Sequence, residues 1–222
     1  MRPFAKLMHR CRVACNAAAT VCVNAAWKRI CRLGLIGGSD RIGRRFGGFG
    51  AGSAICFPPT GIANERHIAI GGGTLVGPYS ALTVFLLPGQ ELRDPIVLRI
   101  GDRCVIGRGS TVNAHVGIDI GDDVWTGPNV YITDHNHGYE DVTRPIGPQP
   151  IPPGRPVTIG AGSWLGYGAV VLPGARIGRN VVIGANAVVS GEIPDFSVAV
   201  GNPARVVKRH VPGEGWVRCG KT

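Results

Sequence analysis

Residues 157–184 read VTIGAGSWLGYGAVVLPGARIGRNVVIG, and through them an aliphatic residue followed by glycine returns at Ile159-Gly160, Leu165-Gly166, Ile177-Gly178 and Ile183-Gly184. The interval is six residues or a multiple of six, which suits neither the 3.6-residue turn of a helix nor the two-residue alternation of a half-buried strand. It is the signature of a solenoid. Working back along the chain, the same pair stands at Ile100-Gly101, Ile106-Gly107 and Ile120-Gly121, with Thr126-Gly127 in phase, and earlier at Ile70-Gly71 and Val76-Gly77. In a parallel β-helix each short strand ends at a corner, where the aliphatic side chain points inward and the small residue after it lets the backbone turn tightly. About five coils are expected, a prism a little over ~20 Å tall at the interstrand spacing.

Composition agrees with a packed repeat. The chain has 222 residues with 35 Gly and 17 Pro, which without a pattern would suggest disorder, but the glycines are in phase with aliphatic residues and the hydrophobic fraction is 44%. The net charge of +10 is uneven: residues 1–46 hold ten Lys and Arg against the single acid Asp40, and the rest is nearly balanced. Four of the seven cysteines, Cys11, Cys15, Cys22 and Cys31, fall in the same stretch without a CxxC pair, and read as small reduced apolar residues of a cytoplasmic protein. Residues 13–27 carry no charge but are too short and too polar to span a bilayer, and no compact cleavage site for export follows them.

Phe4, Met8, Cys11, Cys15, Ala18, Cys22 and Ala25 recur at threes and fours, which predicts a helix over residues 3–33 that Gly34 stops. Two readings are open for it: a cationic helix lying peripherally on the anionic inner membrane face, or a cap docked on the solenoid, and the weak hydrophobicity of the stripe favours the cap. Residues 1–40 thus form a basic helix and linker, 41–210 the solenoid and 211–222 a tail. The register of residues 41–60 is not readable. The rhythm is interrupted after Leu82, and again between Ile132 and Ile159, where residues 133–157 must project as a loop. Loops on rigid scaffolds are where chemistry concentrates. This one reads Thr133-Asp134-His135-Asn136-His137, and an imidazole is the side chain best able to take a proton from a hydroxyl near neutral pH. His135 is the first candidate for a general base. Set against this, the two histidines can simply hydrogen-bond the turn.

The run from Val157 to Gly174, its continuation from Ile177 to Val189 and the exit Gly201-Asn202-Pro203-Ala204 resemble the hexapeptide-repeat O-acetyltransferases, which include the maltose, galactoside and exopolysaccharide enzymes. The resemblance covers residues 96–210. It implies an all-β fold, a left-handed parallel β-helix that departs from the usual right-handed crossover, with the N-terminal helix before it and a short C-terminal helix after it. It further implies a homotrimer with its active site between subunits, no metal, and CoA-dependent transfer of acetyl from acetyl-CoA to a hydroxyl of a sugar, polysaccharide or glycolipid precursor. In that family a loop histidine after Thr deprotonates the hydroxyl, which attacks the thioester in a ternary complex. His135 occupies the matching position, with His137 a second candidate because the chain carries His135-Asn136-His137. Asn113 and Asp134 are the implied acceptor-side residues. Trp164, Gly166 and Ala185 would line the pantetheine groove, although Gly and Ala there equally suit corner packing. Arg205 and Lys208, on the C-terminal helix, would meet CoA phosphates.

Two other classes compete. A γ-carbonic-anhydrase-like zinc enzyme would use His115, His135 and His137, but its paired loop histidines are spaced differently. A non-catalytic solenoid binding module would leave the histidine-bearing loop unexplained. Nucleic-acid binding is not expected, since the basic segment lacks aromatics interleaved with its charges apart from Phe4 and Trp27.

Overall fold

The computed structural model describes residues 2–92 and 94–220, with helix side chains from residue 16 onward. Short parallel strands stack into three sheets that form the faces of a prism. One, the tryptophan face, has seven stacked rungs: Ala54–Ile55, Leu75–Val76, Val105–Ile106, Trp125–Thr126, Trp164–Leu165, Val182–Ile183 and Ser197–Val200. From each of the first six rungs the chain turns onto a histidine face, which includes Ala81–Val84, Thr111–Ala114 and Tyr131–Thr133. It then turns onto a charged face, which includes Leu98–Ile100, Ile118–Ile120 and Val157–Ile159. Six intervals on the tryptophan face make the prism about 29 Å tall. The extra height comes from a first coil, Gly48–Phe49, Ala54–Ile55 and Gly61–Ala63, where Phe49 replaces an aliphatic residue and Cys56 the corner glycine.

The six-residue period puts every second strand residue inside. Ile55, Val76, Ile106, Leu165 and Ile183 form one inward column on the tryptophan face, each nearly inaccessible to solvent. Thr126 takes the corresponding place between Ile106 and Leu165, and its hydroxyl is not wasted there: Oγ1 accepts the Gly107 amide at 2.8 Å. Neighbouring corners are stacked so closely that a Cβ on Gly166 would sit 2.7 Å from the Ala185 amide nitrogen. After each such corner glycine comes a left-handed position held by Gly109, Asn129, Gly168 and Asn186, residue types that tolerate positive φ. Leu165 is fully buried in the middle of its column, so Leu165→Ala is expected to cost about 2–5 kcal/mol. Urea unfolding followed by circular dichroism checks this.

The two ends of the chain differ from expectation. The N-terminal helix α1 forms as predicted, over Arg2–Leu33, but its described side chains do not cap the solenoid: every residue from Asn16 to Ile30 is exposed. A helix whose stripe is mostly Ala and Cys has little apolar area with which to compete for the end of the prism. The stripe residues Phe4, Met8, Cys11 and Cys15 have side chains outside those described. At the other end the expected short helix is absent. Arg205–Val211 is a strand that pairs antiparallel with Ser197–Val200 and then with Gly215–Arg218, extending the tryptophan face by a hairpin. Val206, Val207 and Val211 favour extended backbone, and the last rung offers an open edge to pair with.

Candidate active site

The strand Tyr131–Thr133 lies within the histidine face, between Thr111–Ala114 and Val170–Val171, and after it the chain leaves the prism at Asp134 to return only at Val157. Asp134 is completely buried. Its carboxylate accepts three consecutive amides of the turn one coil below: His115 at 2.8 Å, Val116 at 2.8 Å and Gly117 at 2.7 Å. The fourth partner is the adjacent imidazole, with His135 Nδ1 3.0 Å from Oδ1. Burial opposes ionisation of Asp134, but the His135 hydrogen bond and the three amides together outweigh it and hold the carboxyl below the usual carboxylate range. An ionised carboxylate only accepts, so Nδ1 of His135 must donate and carry the proton. Nε2 is left with its lone pair free. The pair is therefore arranged to present an oriented base, with the tautomer fixed by the aspartate.

Two further rings enclose the imidazole. Phe85 lies nearly parallel to His135, with centroids 6.0 Å apart and an interplanar angle of 17°. His115, which is buried, stands 5.4 Å away and donates from Nδ1 to the Phe85 carbonyl at 2.9 Å. Phe85 opens the earlier excursion of the chain, so the two interruptions of the repeat converge on one edge of the prism. On the outer side of the histidine face, Thr83, Asn113 and Thr133 are in register on successive coils. Asn113 Oδ1 accepts the Thr83 hydroxyl at 2.8 Å, which keeps the Asn113 amide group outward. A polar ladder thus leads to His135.

Asp134 is a correction to the sequence reading. Being sealed from solvent and saturated with donors, it is not available to an acceptor, and its place is behind the imidazole. His137 lies beyond this cluster, exposed and without a hydrogen-bond partner among the described residues. Among the described residues no group of three or more His, Cys, Asp or Glu is placed to hold a metal ion.

The other expected residues lie on a different face. Trp164 is 51% exposed on the outside of the tryptophan face, in register with Trp125, which is 57% exposed. Val182 and Val198 continue this outward column, and it ends at Lys208 on the hairpin. Three strand spacings separate Trp164 from Lys208, about 14 Å. Arg218 is paired with Lys208 and Arg205 with Val200, so the apolar column ends in a cationic group. Arg205 and Lys208 are thus strand residues, not helical ones. Gly166 is buried and its lack of a Cβ is accounted for by the coil above; Ala185 is exposed at the next corner. One chain does not bring His135 and Trp164 together, because they belong to different faces. Trp125 was legible in the repeat, since Val124-Trp125-Thr126-Gly127 is in phase with Ser163-Trp164-Leu165-Gly166. Arg218 was not, because only the hairpin carries it back to the face.

Family models match the chain in two places: the hexapeptide repeat of succinyl-transferase over residues 97–134, and the bacterial transferase hexapeptide (six repeats) over residues 156–191. The probable acetyltransferase Rv3034c of Mycobacterium tuberculosis is 48% identical over 111 residues, covering 50% of this chain and 37% of that protein. The putative lipopolysaccharide biosynthesis O-acetyl transferase WbbJ of Escherichia coli is 42% identical over 99 residues, covering 42% of this chain and 50% of its own length. The chain thus spans half or less of these curated relatives. Among solved structures, AntD, an N-acyltransferase from Bacillus cereus in complex with dTDP and 3-hydroxybutyryl-CoA, superimposes with a TM-score of 0.62 at 19% identity, covering 74% of this chain and 83% of that one. At that identity the likeness is one of fold. Over residues 97–134 and 156–191 the chain thus carries the hexapeptide repeat that these transferase family models describe.

Proposed function

We propose that the protein is a CoA-dependent O-acetyltransferase that moves the acetyl group of acetyl-CoA to a hydroxyl of a sugar, polysaccharide or glycolipid precursor. The observation that carries this reading is the buried Asp134 holding His135 with Nε2 free at the edge of a polar ladder. Nε2 takes the proton of the acceptor hydroxyl as its oxygen attacks the thioester carbonyl carbon. The carbon–sulfur bond then breaks, and the CoA sulfur leaves with the proton returned by the imidazole. Asn113 and Thr83 are the polar groups placed to orient the acceptor. The names of the relatives, acetyltransferase and O-acetyl transferase, support the reaction, and the lipopolysaccharide biosynthesis in the second supports a glycan acceptor.

The donor is assigned to the tryptophan face. The exposed Trp125 and Trp164 and the half-buried Val182 and Val198 form an outward apolar track for the pantetheine arm, and Lys208, Arg205 and Arg218 stand at its end for the phosphates. Since donor and base lie on different faces, a complete site needs the tryptophan face of one copy against the histidine edge of another, as in a homotrimer. Replacing Lys208 and Arg218 together by Gln is expected to raise KM for acetyl-CoA about tenfold with kcat retained, the pattern for loss of uniform binding. Initial-rate kinetics with acetyl-CoA varied checks this. The reaction itself is tested by incubating the protein with labelled acetyl-CoA and a panel of glycans, and identifying the products by mass spectrometry. Labelled ester on a glycan supports the proposal; an unlabelled panel together with no binding of acetyl-CoA contradicts it.

A further inference from the structure

Helix α1 stands outside the prism. Among its described side chains, contact with the solenoid is confined to the last turns, where the Trp27 ring is 6.4 Å from Phe57 and Cys31 is half-buried, and from Asn16 to Ile30 the helix is exposed. At 1.5 Å per residue its 32 residues extend about 48 Å. It contains seven Lys and Arg and no acidic residue. By helical position, Phe4, Met8, Cys11, Cys15 and Cys22 share one side, while Lys6, His9, Arg10, Thr20 and Asn24 fall on the other. The apolar line ends after Ala26, because Arg29 occupies the next position on it. No helix among the described residues is long and apolar enough to cross a membrane.

We infer that residues 2–26 of α1 lie along an anionic phospholipid surface, with the apolar line in the headgroup boundary and the cations on the lipid phosphates, so that the solenoid works at a membrane face. Charge complementarity selects this occupant. A bundle of helices from several copies would bring seven cations per helix together with no acid to offset them, around a seam that after Phe4 and Met8 is Ala and Cys, too small to interlock as bulky knobs. A lipid surface relieves both problems. Each basic residue near such a surface contributes about 1 kcal/mol, and a shallow apolar line is enough when it is one of two signals.

The test is sedimentation of the full chain with phosphatidylcholine vesicles, with and without phosphatidylglycerol. Beside it run a variant carrying Arg2→Gln, Lys6→Gln, Arg10→Gln and Arg12→Gln, and a second carrying Met8→Asp. Gln preserves helix propensity. The wild type is expected to partition onto the anionic vesicles and to come off as salt is raised. The four-Gln variant is expected to bind up to about a thousandfold more weakly, at roughly tenfold per 1.4 kcal/mol. Met8→Asp weakens binding through the apolar side. Both variants are expected to keep the wild type's mass by light scattering and its rate of CoA release with a water-soluble acceptor, so that a failure here stays separate from a failure of the proposed transfer reaction. Equal partition onto neutral and anionic vesicles, no partition at all, or loss of assembly in the four-Gln variant with vesicle binding unchanged would each overturn the inference, the last in favour of a second copy.

Discussion

Asp134→Ala is expected to destabilise the protein by about 3–5 kcal/mol, because it strands the amides of His115, Val116 and Gly117 and removes a buried charge from its donors. Asp134→Asn keeps the shape and part of the hydrogen bonding, so its cost to stability is smaller, but an amide that can donate no longer demands a proton on Nδ1 of His135. The expected signature is a fall in kcat of about 10²–10⁴ with KM for acetyl-CoA retained. A purely structural role for Asp134 would show loss of stability and activity in step. The carboxyl also predicts an acid limit. Folding lowers its pKa, so its contribution is whole above the unfolded carboxylate range, near pH ~4, and is lost as pH falls through the lower folded value. Thermal melts at decreasing pH should therefore decline less steeply in acid for Asp134→Asn than for the wild type.

His135→Ala is expected to lower kcat by about 10²–10⁴ while leaving the fold unchanged, since the side chain packs at an edge and not in the core. His137→Ala should retain near-normal turnover. The contrast follows from position: His135 is held by a buried carboxylate and stacked beside Phe85, whereas His137 is exposed and held by nothing among the described residues. Acceptor-dependent release of free CoA, measured by chromatography on the two variants side by side, checks it. Loss of activity in His137→Ala with His135→Ala active would move the base to the other histidine.

The solenoid was legible because its period is written in corner residues, Ile or Leu followed by Gly, and each corner repeats the same steric demand. Where a coil used Phe49 in place of an aliphatic residue and Cys56 in place of the corner glycine, the period vanished from view although the coil formed. The C-terminal strand had its signal in Val206, Val207 and Val211, but the cations among them read equally well as a helix surface, and the choice was made by the open edge of the last rung. For α1 the local pattern determined the helix, while docking depended on apolar area that the stripe lacks. Within the site, the sequence singled out His135 by its place on the loop. The task of Asp134 could not be read beside it, because its three amide partners sit seventeen to nineteen residues earlier in the chain and meet it only when the coils stack.

The proposed base works only if one proton sits on the right nitrogen of His135. Nitrogen NMR of ¹⁵N-histidine-labelled protein at neutral pH, with the His135 signals identified by their absence in His135→Ala, reports the protonation of each ring nitrogen. A protonated Nδ1 bonded to Asp134 and a bare Nε2 are expected, with this preference weakened in Asp134→Asn. A His135 ring whose proton resides on Nε2 would contradict it, because that imidazole has no lone pair to offer the acceptor hydroxyl.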